Sequence, residues 1–291
     1  MKPAPFEYFA PTSVTEALEK LAELGYNGKV LAGGQSLIPA MNFRMAQPAA
    51  LVDLNGVGEL FFIKPAPDGG LLIGTMTRDS KVEDDPAVFA ASPIIRQALW
   101  HIAHRQIRNR GTFGGAMAHA DPAGQLPGVA CATNMRFHIK SKSGERWVDA
   151  DDFFMGPFST VIEPEEILYE VHIPARPPRT GMSYQQVSRQ QGSQSQVGVA
   201  TMVTLDEKGR IKTANIALLA VGERPIIARQ AAKVLIGQIP SDEALRTAAD
   251  ISSTHEIDPG TDIHATTEYR RHVAGVLVRR TLAEAIAQAR G

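Results

Sequence analysis

Two pairs of adjacent glycines, about eighty residues apart, constrain the fold of this chain most strongly. They lie in AGGQS (32–36) and TFGG (112–115), each after an apolar segment and each next to a hydroxyl residue, Ser36 or Thr112. Glycine permits positive φ and close approach, so successive backbone amides can converge on one anion. A lone glycine pair usually marks a turn, but two of this kind favour a diphosphate held from two sides. The pattern therefore predicts a dinucleotide ligand, although neither GxxxxGK[ST] nor GxGxxG is present.

Polar residues around the second glycine pair suggest further contacts. Asp121, in AHADPAG, fits either a turn aspartate before proline or an acceptor for a sugar or ribityl hydroxyl. His119 fits a general base, a cofactor neighbour or a structural histidine, and we favour the structural role. Three arginines precede the pair and fit a solvated face, a phosphate contact or a docking patch for an acidic partner: Arg105, Arg108 and Arg110.

Charge and hydropathy exclude several classes of protein. Thirty basic and thirty-one acidic side chains give a net charge of −1, which argues against nucleic acid as a partner. No apolar run reaches the ~18–20 residues that span a bilayer. The N-terminal segment lacks the apolar core of a signal peptide, so a cytoplasmic protein is expected. Because GxSxG, HExxH and CxxC are missing, we predict neither hydrolysis nor metal catalysis by this chain, and no metal ligand.

The cysteine content excludes further cofactors. Cys131 is the only cysteine, so the chain by itself cannot form a disulfide or a cysteine-ligated iron–sulfur cluster. Its surroundings, PGVACATN, are small and apolar. Free cysteine is among the most buried residue types, so a buried structural thiol is predicted.

The first 56 residues read as a small α/β unit. Ser13 and Glu16 form the pattern of a capping box, and Gly25 ends the predicted helix. The apolar segments KVLAG (29–33) and ALVDLN (50–55) are predicted strands.

The rest of the chain reads as two further units. Over 57–176 we predict strands at 59–65, 70–76 and 165–174 and a hairpin at 135–150. A mostly helical segment is predicted between them, at 86–104. The proline-rich ARPPRTG (175–181) suits a linker. Beyond it we predict two long strands within 197–222, then helices at 225–237, 242–252 and 267–290. An antiparallel sheet with a helical layer, an α+β domain, is expected over 177–291.

Three stretches identify a resemblance that covers essentially the whole chain. LAGGQSLIP with VDLN, IRNRGTFGGAMAHADPAGQLP and TEYRRHVAGVLVRRTL are similar, in order and spacing, to the FAD-binding medium subunits of molybdenum hydroxylases. That family includes carbon monoxide dehydrogenase and the quinoline, nicotine and xanthine-type enzymes. The resemblance implies an α+β fold: a two-part PCMH-type FAD-binding domain (1–56 and 57–176), followed by a C-terminal α+β domain (177–291).

The resemblance also implies cofactors and partners. FAD would be bound non-covalently by this chain, with two [2Fe–2S] clusters on a small subunit and molybdopterin on a large one. An external acceptor would take the electrons. Asp121 would hold ribityl or adenosine hydroxyls, and Leu168 would lie near the adenine or flavin edge. The positions implied to bind FAD are Val30, Leu31, Ala32, Gly33, Gly34, Gln35, Ser36, Leu37, Gly111, Thr112, Gly114, Gly115, Ala118, Asp121, Leu168 and Gln186.

Four positions depart from the family pattern. Ala116 replaces a polar residue, and Gln186 replaces a lysine. Gln190 and Ser193 replace an arginine and an aspartate. Loss of a lysine near the flavin would remove a positive charge that favours the anionic reduced form. The electron acceptor and the redox potential of this chain are therefore not inferred from the resemblance.

The implied function is electron transfer within a heterotrimeric hydroxylase whose molybdenum subunit binds the substrate, so no catalytic residue is expected in this chain. An N-heteroaromatic substrate is expected, with carbon monoxide and aldehydes still open. Two alternatives remain: a stand-alone FAD-dependent oxidase or dehydrogenase, and a non-enzymatic nucleotide-binding module in which the glycines only form turns. If TFGG is a nest of free amides, Gly114→Val should remove FAD while leaving folding largely intact.

Overall fold

The computed structural model describes residues 1–291, which form three sheets of three or more strands, a small two-stranded sheet and twelve α-helices. The strands are β1 Glu7–Phe9, β2 Gly28–Leu31, β3 Ala50–Asp53, β4 Ile63–Pro65, β5 Leu71–Gly74, β6 Arg136–Ser141, β7 Gly144–Asp149, β8 Phe154–Gly156, β9 Ser159–Thr160, β10 Ile167–Ile173, β11 Thr180–Val187, β12 Val197–Leu205, β13 Ile211–Leu219 and β14 Ile226–Ile227. The helices are α1 Val14–Leu24, α2 Leu37–Asn42, α3 Asp79–Asp84, α4 Pro86–Ala91, α5 Pro93–Trp100, α6 Arg105–Arg108, α7 Phe113–His119, α8 Gln125–Ala132, α9 Ala150–Phe153, α10 Arg229–Leu235, α11 Asp242–Thr254 and α12 Thr267–Arg290. The predicted α+β class is confirmed.

The N-terminal unit is a parallel sheet in the order β1-β3-β2, with α1 packed against it. Ser13 caps α1 by accepting a hydrogen bond from the Glu16 amide, and the helix ends at Gly25, with a φ of 51°. The capping box is not reciprocal, however. The Glu16 carboxylate accepts from the amide of Thr12, at 2.7 Å, and not from that of Ser13. Thr12 therefore supplies the second hydrogen bond at this end of the helix.

The middle unit is an antiparallel sheet in the order β4-β5-β10-β6-β7, and helices α3 to α8 follow one another in the chain between β5 and β6. The mostly helical segment predicted at 86–104 is confirmed as two helices, which are divided at Ser92 because Pro93 cannot continue α4 and instead begins α5. One expectation was wrong in detail. The strand predicted from residue 59 begins only at Ile63, after a 3₁₀ turn at Gly58–Leu60.

The C-terminal unit is the antiparallel sheet β11-β12-β13-β14, covered by α10, α11 and α12. Its tail helix α12, predicted at 267–290, lies across β11 and β12. The helix predicted at 225–237 is wrong in its first residues. Ile226 and Ile227 follow a proline and pair with Leu218 and Ala217 as a short edge strand, so the helix begins at Arg229.

One hydrophobic core crosses the proline-rich segment between the last two units. Residues 176–179 are exposed, as expected of a linker. Yet Met182, Tyr184 and Leu219 belong to the same cluster of thirty buried residues as Leu126 and Val129. The units on either side therefore share their packing. We retain 1–56, 57–176 and 177–291 as proposed domain limits, and each of the three larger sheets lies inside one of these ranges. No helix is both long and apolar enough to cross a membrane.

Candidate functional site

The first glycine pair forms a loop of free backbone amides between β2 and α2. The chain leaves the parallel sheet after Leu31, and Gly34 adopts a φ of 75°, a conformation that favours glycine. The amides of four consecutive residues donate to no acceptor within the chain: Gly33, Gly34, Gln35 and Ser36. Neighbouring free amides in such a turn form a concave anion site.

The second glycine pair lies in a helix, because Thr112 caps α7 and Phe113 begins it. The amides of Phe113 and Gly114 donate to the carbonyls of Thr77 and Thr75, at 2.9 and 3.0 Å, and that of Gly115 donates to Thr112 Oγ1. The predicted nest of free amides at TFGG is therefore wrong. The free donors here belong to Thr112, whose amide and hydroxyl donate to no atom of the chain.

Gly114 has a packing role that the sequence did not reveal. It is buried, and a Cβ on it would lie 1.8 Å from Thr75 Oγ1 and 2.7 Å from the Thr75 Cα. No side chain fits there without moving β5 away from α7. The expectation that Gly114→Val leaves folding intact is therefore wrong.

The two glycine segments lie against each other. A Cβ on Gly33 would stand 2.3 Å from the carbonyl oxygen of Arg110 and 2.9 Å from the Cα of Gly111. A Cβ on Gly115 would lie 3.3 Å from the Cβ of Ala32. The fold thus brings two distant segments together, and their backbones touch because both are glycine-rich.

Two residues that the sequence reasoning missed tie these segments together. Asn55 Nδ2 donates to the Ala32 carbonyl at 2.9 Å. The Arg78 guanidinium donates to Asn55 Oδ1 at 2.6 Å and to the Arg110 carbonyl at 2.7 Å. Burial, and then the neighbouring Arg110, lower the pKa of Arg78. Asn55 lies in the VDLN motif, which was a usable signal, whereas no local pattern marks Arg78.

A cleft of about 310 Å³ opens beside the first loop. Its walls include the loop from Ala32 to Gln35, together with Asp53, Asn55 and Arg110. A second cavity, of about 290 Å³, lies where the middle and C-terminal units meet and is lined by Thr133, Met202 and Asn215 among others. None of the predicted site residues lines that second cavity. We therefore place the candidate site at the cleft beside the glycine loops.

Asp121 and Gln186 are each held by residues of another segment. Asp121 Oδ1 accepts from the amide of Ala123 at 2.9 Å, and its Oδ2 accepts from Nε2 of Gln194 at 2.8 Å. Gln186 Oε1 accepts from Gln125 Nε2 at 3.0 Å and from the Tyr184 hydroxyl at 2.7 Å. Gln186 Nε2 is buried and has no partner. A buried donor without a partner is rare in native proteins and suits an acceptor on a ligand.

Three other predicted residues do not line the cleft. Leu168 is 5 % exposed, belongs to the shared core and does not line the cleft. Val30 also lies outside the cleft lining and packs against the N-terminal core. Ala118 is exposed on α7.

The three arginines before the second glycine pair divide into two groups. Arg108 is buried and paired with Glu83 at 2.9 Å, and Arg105 pairs with Glu83 and Asp84, so both fasten α6 to α3. For Arg108, the interpretations as part of a solvated face and as a phosphate contact are therefore wrong. Arg110 alone lines the cleft.

The buried thiol predicted at Cys131 is confirmed, while the structural role of His119 stays a prediction. His119 is half-buried, its ring centroid lies 5.0 Å from that of Phe158, and burial lowers its pKa. Cys131 is 4 % exposed, and burial raises the pKa of its thiol to about 12. A thiol in this state is a poor nucleophile and a poor metal ligand.

Comparison with known proteins accounts for both parts of the chain. Residues 4–176 match the model of the FAD binding domain in molybdopterin dehydrogenase, and residues 182–285 match that of the CO dehydrogenase flavoprotein C-terminal domain. The 6-hydroxypseudooxynicotine dehydrogenase complex subunit alpha of Paenarthrobacter nicotinovorans is 38% identical over 290 residues, covering 100% of this chain and 97% of the relative. The carbon monoxide dehydrogenase medium chain of Hydrogenophaga pseudoflava is 35% identical, covering 97% of each.

Solved structures give the same result for the fold. A chain of carbon monoxide dehydrogenase from Hydrogenophaga pseudoflava superposes with a TM-score of 0.95 at 36% identity, covering 99% of each chain. A chain of quinoline 2-oxidoreductase from Pseudomonas putida 86 superposes with a TM-score of 0.93 at 35% identity, again covering 99% of each.

Proposed function

The chain belongs to the family of FAD-binding medium subunits of molybdenum hydroxylases, and on this premise we propose that it binds one FAD non-covalently and carries electrons within a heterotrimeric oxidoreductase. The resemblance stated from its motifs was thus correct. Substrate, electron route and cofactor contacts are the parts that we propose.

The residues at the cleft fit the chemical groups of FAD. The four free amides from Gly33 to Ser36, with the amide and hydroxyl of Thr112, would bind the diphosphate. Arg110 lines the same cleft and Arg78 lies behind it, so two guanidinium groups oppose the one carboxylate of the lining, Asp53, and the local charge also favours an anion. These free amides beside the cleft are the observation that carries the proposal.

Asp121 and Gln186 would meet the uncharged parts of the cofactor. A carboxylate accepts hydrogen bonds only, so Asp121 suits sugar hydroxyls and would repel the diphosphate. The unpartnered Nε2 of Gln186 suits a carbonyl or ring nitrogen of the flavin. Bound FAD supplies the capacity to accept and release one or two electrons. This chain's own task is to bind the cofactor, orient it and set its potential.

The proposed partners are a small subunit with iron–sulfur clusters and a large subunit with molybdopterin. The relatives are named as subunits or medium chains, which supports a complex. With one buried cysteine, this chain has no thiolates for a cluster of its own. We propose that electrons arrive one at a time from the small subunit and leave to an external acceptor.

The proposed substrate is an N-heteroaromatic compound bound by the large subunit. Relatives named for 6-hydroxypseudooxynicotine, caffeine and nicotine support this class. Relatives named for carbon monoxide and glyceraldehyde keep those substrates open.

The decisive experiment is purification of the chain alone and with its co-purifying partners, followed by measurement of flavin, iron and molybdenum. We expect one FAD per chain in both samples, and iron and molybdenum in the complex only. A colourless chain that takes up no added FAD would refute the proposal. A flavin-loaded chain that oxidises a small substrate by itself would instead establish the stand-alone oxidase.

A further inference from the structure

We propose that Asp121 and Gln194 together form a diol-binding pair for a sugar portion of FAD. The C-terminal unit, which already supplies Gln186, would then contribute a second side chain to a site otherwise built by the first 176 residues. This inference rests on the FAD binding proposed above, and it adds a residue that neither the motifs nor the resemblance pointed to.

Asp121 is held in one orientation by its own turn. It follows Ala120, which ends α7 with a φ of 50°. Its Oδ1 accepts from the amide of Ala123, and its Oδ2 accepts from Gln194 at 2.8 Å. A carboxylate oxygen can accept more than one hydrogen bond, so Oδ2 keeps a free lone pair beside the Gln194 amide.

Gln194 lies in a loop between β11 and β12 that is fastened on both sides of this residue. Gln191 Nε2 donates to the Trp100 carbonyl at 2.8 Å, and Ser195 Oγ donates to the Ala123 carbonyl at 2.8 Å. Gly192, with a φ of 80°, packs so closely that a Cβ on it would lie 2.7 Å from the Ala103 carbonyl oxygen. These contacts hold Gln194 over Asp121 before any ligand binds.

The pair offers the donors and acceptors that two neighbouring hydroxyls require. Gln194 keeps one N–H donor and its Oε1 acceptor, next to the free lone pair of Asp121. Neighbouring sugar hydroxyl oxygens lie about as far apart as a hydrogen bond is long, ~2.8 Å. One hydroxyl can donate to Asp121 while the other bonds the amide of Gln194. The carboxylate repels phosphate, so an uncharged diol is selected, from either the ribityl chain or the adenosine ribose.

The test compares Gln194→Ala with Gln190→Ala in the purified full-length chain. Gln190 lies in the same loop, and its exposed side chain makes no hydrogen bond, so it is a matched control. We expect Gln194→Ala to weaken FAD binding about three- to tenfold, the value of one hydrogen bond, with no change for Gln190→Ala. Quenching of flavin fluorescence measures the dissociation constant, independent of any enzymatic activity.

Fragments of the cofactor then identify the sugar. If the pair binds the ribityl chain, Gln194→Ala should weaken the binding of FMN. If the pair binds the ribose, the same variant should weaken the binding of ADP, measured in competition with FAD. A second variant, Gln194→Glu, opposes two carboxylates and should weaken binding more than the alanine does. In an Asp121→Ala background, Gln194→Ala should cause little further loss.

Two results would overturn the pair. One is equal FAD affinity in Gln194→Ala, Gln190→Ala and the unsubstituted chain. The other is weaker FAD binding with FMN and ADP both unaffected, since Gln194 would then act on another part of the cofactor. In both cases the unsubstituted chain still binds FAD, so the proposed function stands. A chain that binds no FAD would instead refute both proposals.

Discussion

The carbonyl oxygen of Arg110 lies where a side chain on Gly33 would have to stand, 2.3 Å from the position of a Cβ. The Arg78 guanidinium holds that carbonyl from another direction at 2.7 Å. The Arg110 backbone therefore cannot retreat without breaking this contact. Glycine at position 33 is needed to keep the free amides of the first loop beside Thr112.

Gly33→Ala should weaken FAD binding about tenfold or more. The added methyl would push the first loop away from Arg110, with overpacking of about 1–3 kcal/mol shared between stability and binding. Flavin fluorescence titration and urea unfolding would measure the two parts. Gly58→Ala is the control, because no atom lies within 4 Å of its Cβ position. Unchanged FAD affinity in Gly33→Ala would contradict the role of this loop.

Thr112→Val should lower FAD affinity about ten- to a hundredfold, and Thr112→Ser should restore it. Valine keeps the shape of threonine but removes the hydroxyl that accepts from Gly115 and would donate to the diphosphate. Loss of the helix cap costs about 1 kcal/mol of stability. A lost hydrogen bond to a charged group costs about 1.5–3 kcal/mol of binding. If valine and serine bound FAD equally well, the hydroxyl would have no part in binding.

Substitutions at the two adjacent glycines of α7 should have different effects. Gly114→Ala should destabilise the fold by about 3 kcal/mol or more, since its obstacles include the Cα of Thr75 at 2.7 Å, which cannot rotate away as the Thr75 hydroxyl can. At Gly115 the nearest atom is the Thr112 side-chain oxygen, at 2.5 Å, which can rotate away. Gly115→Ala should therefore stay folded and lose FAD affinity. Thermal unfolding with parallel FAD titration separates the two effects, and equal stability of the two variants would refute the distinction.

Gln186→Lys should raise the flavin potential relative to the unsubstituted chain. Reduction by two electrons and one proton leaves an anionic flavin, FADH⁻, which a nearby ammonium stabilises. A tenfold preference for the reduced form corresponds to about 30 mV for two electrons. Reductive titration beside a reference dye measures the shift. Gln186→Leu, which removes the amide without adding charge, is the control. A potential unmoved by lysine would place Gln186 away from the flavin.

The free energy of unfolding should fall as the pH rises from about 4 to about 7, because the buried carboxyl of Asp79 titrates in this range. Burial raises the pKa of this carboxyl to about 7, while Arg108 and Arg78 oppose the rise. Between the unfolded value near 4 and the folded value, the folded chain binds the extra proton, so raising the pH favours unfolding. The full effect is on the order of 4 kcal/mol.

Urea unfolding at several pH values, in the unsubstituted chain and in Asp79→Asn, checks this dependence. The asparagine variant should lose that part of the slope. Asp152→Asn, at an exposed position, should not. A slope that survives in Asp79→Asn would assign the titration to another group.

The sequence predicted the elements better than the partners of their atoms. Local patterns located the first glycine loop, the tail helix and the buried Cys131, since each depends on neighbouring residues. The amides of TFGG were misread because their acceptors, on Thr75 and Thr77, belong to a segment almost forty residues away. Arg78 and Gln194 escaped notice for the same reason. Hydrogen bonds between distant segments decide which backbone donors remain free, and the local periodicity of the sequence does not predict them.

The core shared by Met182, Tyr184 and Leu219 with the middle unit also bears on how the chain matures. During synthesis, domains generally fold as units from the N-terminus onward. Here the middle unit cannot bury its apolar surface until residue 219 has left the ribosome. Gln186 and Gln194, which hold Gln125 and Asp121, arrive in the same late stretch. The residues that complete the cofactor site and the core beneath it are therefore synthesised only with strands β11 to β13, well after the two glycine loops.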